Sequence, residues 1–226
     1  MRQEMNGIGG SRMVRSIWIG VLSAALLSGV SQPLAAQSKP AAEKNAAETG
    51  LALKNPGFEE GGKAPAGWEE GTAIGGVEYV WDKKTGYKSP ASVCIKKTAE
   101  RYFPIAEWRQ TVPNTGKTAK LRLSAWVKAE QAYKGILDVW FVGEDGKEMH
   151  QWAAYIGAKQ PTDPPADHDW KEYSGVVAIP KGTKSIRIAL QVYGPGTLWF
   201  DNVSAAYVPE DTPVSLYDEK GNPKPD

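Results

Sequence analysis

The sequence predicts an all-β fold, a β-sandwich or jelly roll, from three observations. Apolar and polar residues alternate with a period of two in short runs. Gly, Pro, Asn and Asp separate those runs, and no stretch sustains the 3.6-residue apolar period of a helix. Many short strands joined by tight turns form two antiparallel sheets packed face to face.

In chain order the strands are expected at 92–96, 108–112, 121–128, 136–142, 173–179, 185–193 and 198–205. Glu144-Asp145-Gly146-Lys147 reads as a hairpin turn, with Gly146 free to take a positive φ. Within the strands, Leu121, Leu123, Ala125 and Val127 share one side, as do Leu137, Val139 and Phe141, and Ile186, Ile188, Leu190 and Val192. These aliphatic sides are the expected core.

Four segments organise the chain. In 1–36, Arg12 and Arg15 precede an apolar run at 17–30 and then small residues, the pattern of a secretory signal peptide cleaved after Ala36, with Met13 as an alternative start. Its apolar run of about 14 residues is shorter than the ~20 of a membrane span. With no cysteine there to take a lipid, a soluble secreted or periplasmic protein is expected. Residues 37–49 are Ala, Lys, Glu and Ser with little to bury, a flexible tether. Residues 50–208 hold the strands, long enough for one sizeable core, and 209–226 form a Pro-rich polar tail. Cys94 stands alone, which excludes an intrachain disulfide and a cysteine metal site. The net charge is +1; loss of 1–36 removes three arginines and one glutamate and leaves about −1. That balance excludes the basic footprint of a nucleic-acid or anionic-membrane binder, and a monomer is expected.

The sides opposite the aliphatic rows combine flat rings with planar polar groups. One strand offers Arg122, Ser124, Trp126 and Lys128, the next Asp138 and Trp140, a third Arg187, Gln191 and Tyr193. If these strands lie in one sheet, its outer face is an aromatic-polar groove suited to a saccharide, with rings against C–H groups and planar polar groups on hydroxyls. Trp152 and Tyr155 are expected to form one wall. Trp68, Trp108, Trp170 and Trp199 read as packing residues, and burial in the core is the alternative for each of the others.

Catalytic signals are sparse. His150 and His168 lack metal-ligand spacing, and no serine sits in a Gly-x-Ser-x-Gly turn. The nearest carboxylate pairs, Glu144-Asp145 and Asp167-x-Asp169, fall in expected turns. A jelly-roll glycoside hydrolase or lyase working through two acids is therefore the alternative to a binding domain. A third reading is an envelope or adhesion domain that uses the same face for protein.

Six motifs occur in order: NPGFEEG followed by P-A-G-W at 55–68, TGYKSPASVCI at 85–95, WRQTV at 108–112, LRLSAWVKAE at 121–130, DWKEYSGVVAIP at 169–180 and LWFDNVSA at 198–205. Together they resemble the carbohydrate-binding modules of families 4, 9 and 22, within the galactose-binding-like jelly rolls. The resemblance implies a poly- or oligosaccharide partner and a structural Ca²⁺ held by the Gly57 carbonyl and the Glu59 and Asp201 side chains. Asp82 and the Thr85 carbonyl join that set by spacing alone. Mixed carboxylate and carbonyl oxygens suit calcium. On this reading Phe58 points into the core and Glu59, on the opposite side of an extended chain, reaches the metal. The alternative is that Glu59 and Asp201 cap turns or pair with lysines.

Overall fold

The structure, a computed structural model, describes residues 49–116, 118–158, 162–215 and 217. The expected signal peptide, all of the tether but Thr49, and the end of the tail lie outside the described residues. Among the described residues eleven strands are formed: β1 (Thr49–Gly50), β2 (Glu69–Glu70), β3 (Val77–Asp82), β4 (Ser92–Lys97), β5 (Ala106–Pro113), β6 (Lys120–Ala132), β7 (Lys134–Gly143), β8 (Glu148–Gly157), β9 (Ala166–Ala178), β10 (Thr183–Val192) and β11 (Gly196–Tyr207). All pairings are antiparallel. One sheet runs β3-β4-β11-β6-β9, with β1 also on β11, and the other runs β2-β5-β10-β7-β8.

The aliphatic rows meet between the sheets. Leu121, Leu123, Ala125 and Val127 have no exposed surface, nor do Leu137, Val139, Ile186, Ile188 and Leu190. Trp108 is sealed with them, its indole N–H donating to the Cys94 carbonyl at 3.2 Å. Trp68 is buried against Phe58 and donates to the Lys54 and Asn55 carbonyls. Gly146 has φ +74° in the β7–β8 hairpin, as its turn requires.

Three expectations change. Strands β6 and β7 are consecutive but lie in different sheets, so the face drawn from both divides in two. Period two separates inside from outside, and a sandwich has two outsides. Second, Asp167 and Asp169 lie on β9, the sheet's edge strand, and not in a turn. Third, the start of the tail follows the body: the Glu210 carboxylate accepts from the Ala119 amide at 2.6 Å, and the Ser215 amide donates to the Val176 carbonyl at 2.7 Å.

Candidate functional site

The outer face of the β2-β5-β10-β7-β8 sheet is built in rows. Arg187 of β10 stands opposite Trp140 of β7, which stands opposite His150 of β8; the next row is Ala189, Asp138 and Trp152. Across β10, Gln191 faces Glu107 and Ala189 faces Arg109 of β5. Trp152 and Tyr155, three residues apart, would take opposite faces of a regular strand. A bulge in β8 between the partners of Leu137 and Asp138 absorbs Ala153 and returns Tyr155 to the side of Trp152. Their rings lie 6.4 Å apart, and Tyr193, just past β10, lies edge-on to Trp152 at 6.2 Å.

Charge on this face is paired with little excess. The Arg187 guanidinium donates two bonds of 3.1 Å to Glu148 and lies 4.7 Å over the Trp140 ring, whose other neighbour is the His150 ring, stacked at 4.6 Å. His150 Nδ1 lies 3.1 Å from Asp138 Oδ2. Asp138 has no exposed surface, and burial pushes its carboxyl above the usual carboxylate range against the opposing pull of His150. The hydrogen bond that its ring donates to Asp138 in turn holds His150 above its ordinary value. Gln191 donates to Glu107 at 3.0 Å and accepts from the Tyr193 hydroxyl at 3.2 Å. Tyr155 donates to the Ala158 carbonyl, and burial lifts its hydroxyl to about 12.

Among the described residues, the buried side-chain polar atoms without a hydrogen-bond partner are Trp140 Nε1, Trp152 Nε1 and Arg187 Nε. All three are donors, and all three belong to this face. The Trp140 indole lies close enough to Asp138 to lower its carboxyl, yet makes no hydrogen bond of ordinary geometry.

Trp126 and Arg122, expected on the same face, lie on β6 in the other sheet. There the 83–90 loop folds over Trp126: the Tyr87 ring stacks on it at 3.6 Å and 8°, with Trp170 6.2 Å from Tyr87. Trp199 is 8% exposed beside it, donating to Asp82 at 3.1 Å. Seven of the nine expected ligand residues thus share a face: Asp138, Trp140, Trp152, Tyr155, Arg187, Gln191 and Tyr193. His150, Glu107, Glu148 and Lys134 join them. The alternation that places Trp152 outward also places His150 and Glu148 outward, so these were readable once β8 was recognised as a strand.

The residues expected to hold calcium meet at the start of the fold and the bulge of β11. Asp201 has no exposed surface; its carboxylate accepts from the Tyr87 amide at 2.7 Å, the Ser89 hydroxyl at 3.2 Å and the Asn202 amide at 2.6 Å. Burial raises its pKa to about 6 despite those bonds, and the charge of Glu59 adds to the rise. Glu59 accepts from the Ala91 amide at 3.2 Å. A Cβ on Gly57 would stand 3.5 Å from Asn202 Oδ1 and 3.9 Å from Asp201 Oδ1, ordinary van der Waals contact, so Gly57 lies beside that carboxylate without glycine being required there. Phe58 is buried as expected, but the chain there is not extended: Phe58 has φ +59° and closes a turn, its amide on the Asn55 carbonyl. The turn, and not strand alternation, is what parts the Phe58 and Glu59 side chains. Asp82 and Thr85 have other partners. Asp82 accepts from the Lys84 and Thr85 amides and from Trp199, which outweigh burial and hold it below the usual range, and the Thr85 carbonyl accepts from the Ser92 hydroxyl. No group of three His, Cys, Asp or Glu stands together as metal ligands among the described residues.

The turn acids are engaged by lysines: Glu144 with Lys184 at 3.2 Å and Asp145 with Lys147 at 2.6 Å. Cys94 is buried on β4 with its thiol pushed up to about 12, unsuited to attack. No helix among the described residues is long and apolar enough to cross a membrane.

No family model and no curated protein matches the sequence. Solved structures do match. The tandem of two family 22 carbohydrate-binding modules from Paenibacillus barcinonensis Xyn10C is 17% identical, with a TM-score of 0.50, over 79% of this chain and 53% of that one. The C-terminal family 22 module of Clostridium thermocellum Xyn10B is 11% identical, with a TM-score of 0.49, over 77% of this chain and 100% of that one. A Stig cyclase from Fischerella is 17% identical, with a TM-score of 0.49, over 73% and 100%. The likeness to the tandem modules shows the fold alone: this chain is an all-β jelly-roll sandwich, as the sequence predicted.

Proposed function

We propose that the chain is a secreted or periplasmic, non-catalytic carbohydrate-binding domain that takes a poly- or oligosaccharide on the outer face of the β2-β5-β10-β7-β8 sheet and carries a structural Ca²⁺ at Gly57, Glu59 and Asp201. One observation carries the ligand reading. Trp140, Trp152, Tyr155 and Tyr193 share a face with the three unpartnered donors Trp140 Nε1, Trp152 Nε1 and Arg187 Nε. A buried donor without an acceptor costs roughly 1–3 kcal/mol. Hydroxyl-rich ligands bring the acceptors that this face lacks. The Trp140, Trp152 and Tyr155 rings supply stacking against sugar C–H faces and the Arg187 guanidinium orients hydroxyls, while Gln191 and Tyr193, which are buried, support the rings from beneath.

The non-catalytic reading rests on how the carboxylates are held. Asp138 is engaged by His150, Glu107 by Gln191 and Arg109, and Glu148 by Arg187. Calcium is supported by two adjacent carboxylates, one fully buried, that form no ion pair with a described lysine or arginine, and by the Gly57 backbone lying beside them. A hard cation bound there would supply the missing positive charge and tie the N-terminal turn to β11.

Titration calorimetry of the mature domain against neutral oligosaccharides, xylohexaose among them, tests the reading. Millimolar to micromolar affinity is expected, roughly −4 to −8 kcal/mol. No heat with any saccharide, or reducing-end release that Asp138→Asn abolishes, would overturn it in favour of a protein-binding or an enzymatic role respectively.

A further inference from the structure

At the end of the ligand face where β7 begins, Lys134 runs its side chain among three rings. Its ammonium lies 4.3 Å from the centre of Trp152, 4.6 Å from Tyr193 and 5.6 Å from Tyr155. The residue is 8% exposed. Burial alone lowers its pKa, with no charged neighbour contributing. Its nitrogen is not among the sealed unpartnered atoms, so the tip of the side chain keeps contact with solvent. Two carboxylates of the face are engaged elsewhere, Asp138 by His150 and Glu107 by Gln191 and Arg109.

A lysine stripped of most of its water ordinarily has an anion beside it. Lys97, the other buried lysine at this end, spends its ammonium on the Tyr102 and Pro104 carbonyls. Lys134 has ring faces only, and a cation–π contact offsets part of the lost hydration and supplies no counter-charge. The ammonium also lies over the rings on which a sugar would stack. A neutral sugar must share or displace it, whereas an anionic sugar gains from it.

We propose that Lys134 makes this face selective for saccharides carrying an anionic group, with the anion seated on its ammonium and the sugar ring against Trp152. The inference rests on the ligand face of the proposed function and adds the charge of its ligand. A uronate carboxylate and a sugar sulfate share this chemistry.

Xylohexaose, the same backbone with one glucuronic acid branch, the branched sugar with its carboxyl reduced to an alcohol, and a monosulfated xylohexaose would be titrated in turn. The uronate or the sulfate ligand is expected to bind roughly tenfold tighter than its neutral counterpart, about one charge-assisted contact, with the advantage shrinking as salt rises; the tighter of the two names the anion. In Lys134→Met, which keeps the length and apolar bulk of the stem, the advantage should vanish while neutral binding persists and the melting temperature holds or rises, because an unpaired buried charge has been removed. Equal affinity for charged and neutral sugars in the wild type, or a charge preference that survives Lys134→Met, overturns the inference. Failure of every saccharide to bind overturns the proposed function instead.

Discussion

Each sheet carries one aspartate without exposed surface, Asp138 on β7 and Asp201 on β11, and burial raises both carboxyls. Their surroundings differ in kind. Asp138 faces the half-exposed His150, a group that can become cationic, and its neighbours Trp140 and Arg187 extend outward from it. Asp201 is enclosed by backbone amides and a serine under the 83–90 loop, and its nearest charge is the like charge of Glu59. The same alternating sequence pattern thus gives one face closed by its own loop and short of a cation, and one face open and short of acceptors. Each deficit names the ligand that would fill it.

The largest expected effects come from two tryptophans, one on each face. Trp126→Ala removes the ring stacked on Tyr87 and is expected to cost about 2–4 kcal/mol of stability, leaving saccharide affinity within about twofold because the site is on the other sheet. Trp152→Ala is expected to weaken saccharide binding at least tenfold, about 1.4 kcal/mol or more. Thermal melts and calorimetry on the same two variants check both. The opposite pattern would move the ligand platform to the face under Tyr87.

Next in size is the metal. An ion bound to the folded state alone adds about 2.7 kcal/mol at a hundredfold excess over its Kd, so EDTA should lower the melting temperature and Ca²⁺ restore it, in the wild type but not in Glu59→Ala. A transition that ignores chelation would leave Glu59 and Asp201 as turn caps.

A smaller effect separates the metal-free site from any other role of Asp201. Its folded pKa of about 6 lies above the ordinary carboxylate value, so the native state holds the extra proton between the two. Without metal, this group therefore destabilises the fold as pH rises through that interval, by about 1–2 kcal/mol once screening is allowed for. In EDTA the wild type should gain stability relative to Asp201→Asn as pH falls from about 7 to 5. Saturating Ca²⁺ should remove that gain, since the ion binds the ionised form. A wild-type curve parallel to that of Asp201→Asn in EDTA would show that the carboxyl titrates normally.

The sequence specified the inside of this protein more fully than its outside. Rows such as Leu121-Leu123-Ala125-Val127 fix which side of a strand is buried, and each proved buried, because a one-residue slip would expose the whole row. The pairing of strands carries no such signature. Nothing local in β6 or β7 says that they join different sheets, so Trp126 and Arg122 fell in with the wrong partners. Strands β3 and β8 escaped notice for another reason. β3 is half-buried throughout, and the bulge at Ala153 breaks the alternation of β8, which also hid His150 and Glu148 as neighbours of Trp152. Lys134 was silent because a lone lysine at the start of a strand reads as solvated; only the convergence of two rings of β8 with Tyr193, just past β10, reveals its burial.

The smallest effect probes the other aspartate. His150 is raised first by its hydrogen bond to Asp138, against the opposing pull of burial. A histidine with a raised folded pKa stabilises the fold fully below its unfolded value and loses that contribution as pH rises through the folded one. With 44% of its side chain exposed, screening limits the contribution to less than about 1 kcal/mol, so melting curves are a poor reporter. The ring proton shifts in an NMR titration are better. The His150 midpoint should lie above the ordinary histidine value in the wild type and fall below it in Asp138→Asn, where burial acts without the carboxylate. A His150 midpoint at or below the ordinary value in the wild type would mean that Asp138 is protonated and neutral. The two buried aspartates would then be alike, each an acid without a cation, and the contrast between the two faces would reduce to the loop that covers one of them.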